Sequence, residues 1–280
     1  MTALIIVFSL IAVLVLLLFL ICPSRRKHSD LDTLCGLYIA HRGLHNKEKN
    51  IPENSLEAFR AAVNHGFAIE NDIHLTADGH VVVFHDGTTG RMCGVNKKIS
   101  EMTLGEIKEL RLSGTDYTIP TLKECLEVVD GKVPLLIEFK RDGKVKELCA
   151  AADEILKDYK GKYFVQSFYP QVLRWYKKHR KEICRGQLSS SFKGDPFYKR
   201  LAGLLLYNFI SRPDFVSYQH TDGDYIPRKL VSKLGAFPVG WTFISKEETQ
   251  KGKKHFKTFI FENYIPENIR EEINCKQSKI

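Results

Sequence analysis

The sequence has no closely spaced cysteine pair, no internal repeat, no low-complexity stretch, and no lysine or arginine before residue 25. Its seven cysteines, at 22, 35, 93, 125, 149, 184 and 275, show neither a CxxC pair nor the spacing of a zinc site. Odd in number and scattered, they read as reduced thiols. Nucleic-acid binding has little support either. The net charge is +9, but no basic-aromatic module accompanies it. The excess is spread over 25–27, 177–181, 251–254 and the tail, and such runs are mostly solvated faces. A basic flank beside a membrane span also attracts anionic lipid head groups.

Charge is absent altogether from residues 3–22, where Ser9 is the only polar side chain. About twenty apolar residues is what a helix needs to cross a bilayer. A cleaved signal peptide calls for a basic start and a small-x-small cleavage site, and neither is present. The stretch is therefore expected to remain as a single-pass anchor in the cell membrane. Arg25, Arg26 and Lys27 follow it directly, so the rest of the chain is expected on the cytoplasmic side. The expected organisation is an anchor over 1–24, a polar connector over 25–36, and one α/β region over 37–280.

After the anchor about 250 residues remain, the usual size of one large α/β domain. Apolar strand candidates at 37–41, 67–75, 133–139, 163–168, 184–189, 214–218, 236–243 and 256–261 alternate with helical segments. A second run, 80–85, folds back on 67–75 through Ala77-Asp78-Gly79, a hairpin signal. Asn54 with Glu57 reads as a helix start. Strands alternating with helices imply a parallel sheet, and eight of them over this length point to a (β/α)₈ TIM barrel. The polar stretch 87–118 is then a small insertion after the second strand. The alternative is an open doubly wound sheet.

Residues 39–86 concentrate the chemistry. His41 and Arg42 close the first strand, Glu70 and Asp72 stand two apart on the second, and His85 ends the hairpin's return arm. Glu138 and Lys140 end the third barrel strand, again on one face. In a barrel, functional side chains gather at the carboxyl ends of strands. Three carboxylates without a cysteine favour Mg²⁺ or Ca²⁺ over zinc. Arg42 and Lys140 are cations to aim at phosphate oxygens, and two histidines can divide general base and general acid work.

HRG at 41–43, PENS at 52–55, the E-x-D of 70–72, HD at 85–86, IPTL at 119–122, IEFK at 137–140 and GWT at 240–242 together resemble the glycerophosphodiester phosphodiesterase family. The resemblance implies a TIM barrel with an insertion after strand two, and divalent-metal-dependent hydrolysis of glycerophosphodiesters to sn-glycerol 3-phosphate and an alcohol. Carried over, it makes His41 and His85 the catalytic pair and Glu70, Asp72 and Glu138 the metal ligands. Arg42, Lys140, Glu53 and Trp241 become substrate-binding residues. The alternatives are a lysophospholipase D or phosphatidylinositol phospholipase C-like activity on lysolipid or lipid substrates, or a membrane-tethered binding module without activity. The family's strand eight often ends in Thr-Asp, whereas here Phe261 is followed by Glu262. That departure bears on substrate preference.

Overall fold

Along several barrel strands the inward side chains change from apolar at the base to polar at the carboxyl end. In the second strand Ala68 sits below Glu70 and Asp72, and in the strand beside it Leu136 sits below Glu138 and Lys140. A period of two allows this, because the outward residues Ile69, Ile73, Leu135 and Ile137 pack against the surrounding helices. The computed structural model describes residues 2–141 and 143–272. The end of the expected α/β region, with Cys275, therefore lies outside the described residues.

The strands are β1 (Tyr38–Ala40), β2 (Ala68–Leu75), β3 (Val81–Val83), β4 (Leu135–Phe139), β5 (Tyr163–Ser167), β6 (Arg185–Ser189), β7 (Phe215–Gln219), β8 (Phe237–Phe243) and β9 (Thr258–Phe261). Eight are parallel, in the order β1-β9-β8-β7-β6-β5-β4-β2, and pairing of β1 with β2 closes the ring. The arrangement is a TIM barrel, not an open sheet. β3 pairs antiparallel with β2, Ile73 opposite Val83, which returns the chain to the level of Asp72.

The helices are α1 (Thr2–Ile21), α2 (Leu31–Leu34), α3 (Leu56–His65), α4 (Gly90–Cys93), α5 (Leu104–Lys108), α6 (Leu122–Val129), α7 (Val145–Leu156), α8 (Pro170–His179), α9 (Phe197–Gly203), α10 (Asn208–Ser211), α11 (Ile226–Lys233) and α12 (Lys246–Gly252). Several starts are set by side chains. Thr103 and Thr121 form capping boxes with Glu106 and Glu124, satisfying free N–H groups of the first turn. α3 departs from expectation. Ser55 is the cap and accepts from Ala58 N, while Asn54 adopts φ 54° and turns its amide into the barrel. The single helix expected near 196–210 is two, because Leu205 takes φ 59° and breaks the run.

Residues 25–36, expected as a polar connector, carry α2. Its Leu31 and Leu34 seal the barrel base against Leu37, Ile39, Phe164 and Phe215. Residues 87–118 form α4, α5 and two 3₁₀ turns over a separate apolar cluster, which includes Val82, Phe84, Met92, Ile107 and Ile119. Cys22, Cys93, Cys125, Cys149 and Cys184 are free. Cys35 is disulfide-bonded, which corrects the reading of uniformly reduced thiols. Spacing along the chain carries no information about which distant segments meet. α1 spans 20 residues, almost none of them buried. It is long and apolar enough to cross a membrane, and a membrane anchor and a signal sequence both meet that description.

Candidate active site

Glu70, Asp72 and Glu138 face the barrel axis from adjacent strands, with Asp72 in register opposite Glu138. They are 1%, 0% and 7% exposed, and one ligand oxygen from each lies within 4.8 Å of the others. Ionised carboxylates so buried and close repel one another and need countercharge. Two cations supply part of it. Lys140 Nζ lies 2.8 Å from Asp72 Oδ1 and donates to Glu138 Oε1 at 2.6 Å. Arg42 Nε lies 3.6 Å from Asp72 Oδ2, and the Arg42 amide donates to Glu70 Oε2 at 3.1 Å.

The loop after β1 brings that amide in. Arg42 takes φ 56° and Gly43 φ 80°. A side chain at Gly43 would put its Cβ 2.8 Å from Ala58 Cβ, so α3 can pack under the site only with glycine there. Arg42 Nη1 also donates to Glu53 Oε1 at 2.8 Å. Asn54 Nδ2 donates to Asp72 Oδ2 at 2.9 Å, fixing the rotamer of a buried carboxylate.

Two histidines flank this group. His41 Nδ1 is 2.6 Å from Glu262 Oε2, which leaves Nε2 turned inward, 4.0 Å from Glu70 Oε2. His85 Nδ1 is 2.7 Å from Asp86 Oδ1. Arg91, from α4 of the insertion, ties the rim together. It donates to Asp86 Oδ2 at 2.6 Å and to both oxygens of Glu53, at 2.7 and 3.0 Å. Opposite the carboxylates, Trp241 Nε1 donates to Ser217 O at 3.1 Å, and its ring meets Phe168 edge-on at 5.8 Å. His41, Arg42, Glu70, His85, Glu138, Lys140 and Trp241 line one cavity of about 220 Å³.

The sequence model of the glycerophosphoryl diester phosphodiesterase family matches residues 41–195, more than half the chain. The chain belongs to that family. A glycerophosphodiester phosphodiesterase of Caldanaerobacter subterraneus subsp. tengcongensis is 34% identical over 178 residues, covering 59% of this chain and 71% of that protein. A lysophospholipase D of Rattus norvegicus is 34% identical over 136 residues, 44% of this chain and 41% of that one. The fold matches a phosphodiesterase of Oleispira antarctica, solved with the product sn-glycerol-3-phosphate. The TM-score is 0.68 at 25% identity, covering 84% of this chain and 95% of that one.

In this phosphodiesterase all nine residues singled out from the sequence come to one mouth, seven on the cavity wall and Asp72 and Glu53 bound to its cations. Sequence reasoning set Asn54 beside Glu53 as a supporting residue and Glu262 at the end of the last strand without a specific role, and it did not assign Asp86 or Arg91. Glu262 follows β9 in the inward phase of Ile260, a signal strand periodicity carries. Arg91 gave none, since its place depends on how the insertion folds.

Electrostatics divides the carboxylates. Burial, then repulsion from Asp72 and Glu138, raises Glu70 well above the usual range, and burial also raises Glu138. Asp72 is held low: burial opposes its charge, but Lys140, His85 and Arg42 outweigh that. Burial lowers both His41 and His85, while Glu262 beside the former and Asp72 beside the latter oppose that shift. Carboxylates this buried and this close to one another fit a divalent cation, whose charge offsets both the burial and the repulsion.

Proposed function

We propose that the enzyme hydrolyses glycerophosphodiesters to sn-glycerol 3-phosphate and an alcohol, with one divalent ion, Mg²⁺ or Ca²⁺. The observation that carries this is the pairing of two imidazoles with a buried carboxylate triad and two cations around a single cavity. Glu70, Asp72 and Glu138 would hold the ion, which when bound draws charge from a phosphoryl oxygen. Arg42 and Lys140 neutralise charge developing on the phosphoryl oxygens. His41 and His85 share the proton work: one takes a proton from the attacking nucleophile, the other gives one to the departing alkoxide, and water supplies the oxygen that replaces the alkoxide on phosphorus. Glu262 orients His41 so that Nε2 faces the substrate. Glu53 holds Arg42, and Trp241 offers an apolar wall to the glycerol carbons. A binding module without activity has no use for this set.

Domain organisation supports a membrane-tethered enzyme, with α1 as the anchor and the barrel as the catalytic region. The end of α1 attaches near the amino-terminal end of β7. There Ser24 N donates to Pro213 O at 2.9 Å, and Arg26 Nη2 is 2.7 Å from Asp214 Oδ2. The catalytic mouth is at the opposite end, which favours a soluble glycerophosphodiester. The second reading, a lysophospholipase D, is favoured by the rat relative and by the anchor itself. Two signals bear on orientation and oppose one another. The basic flank favours the cytoplasmic side, and the Cys35 disulfide favours an oxidising compartment. Protease treatment of intact cells reads the side directly.

Product release by the full-length protein tests the substrate, with glycerophosphocholine and lysophosphatidylcholine compared at equal concentration. Faster release of sn-glycerol 3-phosphate from the former supports the proposal. Lysophosphatidic acid formed from the latter at equal or greater rate reverses it.

A further inference from the structure

The C-terminal end of α1 does not hang free. Asn208 Nδ2 donates to Ile21 O at 2.9 Å, and Arg212 Nη1 donates to Phe19 O at 2.9 Å and Cys22 O at 2.7 Å. The Arg212 guanidinium stands 4.7 Å from the centre of the Phe19 ring, and Phe19 meets Phe209 at 6.3 Å. These contacts fix α10 and its neighbour α8 at the depth where a spanning helix leaves the hydrocarbon, the level of the head groups.

What lies there is cationic. A cleft of about 450 Å³ between α8 and α10 is lined by Arg174, Lys177, Lys178, Phe209 and Ile210. A groove of about 870 Å³ shares Arg174 and Lys178 and adds Arg141, Lys146 and Trp175, with Glu147 its one acidic lining residue. Some surface lysines elsewhere are paired, Lys157 with Glu154, Lys199 with Asp195 and Lys229 with Asp224. Among the described residues none of Arg174, Lys177 and Lys178 has a carboxylate partner. Lys177 donates only to Ile210 O, at 3.5 Å. Burial, then the like charges of Arg212, Arg185 and Arg174, push its ammonium below the usual value.

We propose that the face formed by α8 and α10 at the foot of α1 docks on anionic lipid head groups. Unneutralised cations interleaved with half-exposed apolar and aromatic side chains match that layer, phosphate outside and acyl carbon beneath. Docking there would hold the barrel by a second contact besides α1, with the catalytic mouth turned from the bilayer. The inference rests on reading α1 as an anchor.

The full-length protein in nanodiscs tests it by lysine acetylation with a water-soluble reagent, read by mass spectrometry. Discs of phosphatidylcholine alone are compared with discs that also contain phosphatidylglycerol. Reactivity at Lys177 and Lys178 should fall by about threefold or more in the anionic discs, recover at high salt, and stay unchanged at Lys251 on α12. Equal reactivity in both discs, or an equal fall at Lys251, overturns the docking surface while leaving the anchor intact. Release of the protein from membranes by alkaline carbonate overturns the anchor, and the docking surface with it.

Discussion

Replacing Glu262 by Gln removes one charge from the catalytic mouth and leaves its shape. In the wild type the carboxylate is held ionised, chiefly by its hydrogen bond to His41, at 2.6 Å from Nδ1. A charge-assisted hydrogen bond contributes roughly 1.5–3 kcal/mol and a neutral one about 0.5–1.5. The difference is about 1–2 kcal/mol. Because the Glu262 side chain is 24% exposed, solvent screening favours the lower figure. That lower figure corresponds to roughly a fivefold fall in kcat, with KM nearly unchanged. The pH profile gives an independent sign. Burial lowers His41, and Glu262 opposes that effect. Without the carboxylate His41 drops further, so whichever limb of the kcat/KM profile it sets moves to lower pH. Steady-state kinetics on glycerophosphocholine across pH, with circular dichroism to check the fold, reads both effects. A kcat within about twofold of wild type together with an unmoved limb, or a limb that moves upward, refutes the positioning role.

His41→Ala and His85→Ala should each lower kcat by about a hundredfold or more while the thermal unfolding midpoint stays near wild type; full activity in either variant removes that residue from the mechanism. Trp241→Ala should raise KM more than it lowers kcat, a split read from saturation curves, because the wall it forms binds carbon and moves no proton. Arg26→Ala leaves the buried Asp214 with only its longer contact to the Arg185 guanidinium, at 3.7 Å, and the Arg185 amide, at 3.2 Å. A cost of about 3 kcal/mol should lower the melting midpoint of the full-length protein by roughly 6–12 °C.

The barrel was legible because each strand is a short apolar run bounded by turn residues, and because eight such runs of one period admit few topologies. The triad was legible for the same reason: Glu70, Asp72 and Glu138 fall in the inward phase of strands whose other inward residues are apolar. What strand periodicity does not describe was harder to read. Asn54 looks like a helix cap, and only the left-handed turn of the backbone there shows that Ser55 takes the cap. Arg91 reaches Glu53 across 38 positions of sequence, through an insertion without regular periodicity. The polar composition of 25–36 hid Leu31 and Leu34, two residues that close the barrel base.

The central claim is that Glu70, Asp72 and Glu138 hold a divalent ion on which phosphodiester hydrolysis depends. Its most direct test is the rate of sn-glycerol 3-phosphate release from glycerophosphocholine by the purified full-length protein, before and after chelation and during back-titration with Mg²⁺ and Ca²⁺. Activity should vanish on chelation and return saturably with one of the two ions. Undiminished turnover in excess chelator would contradict it.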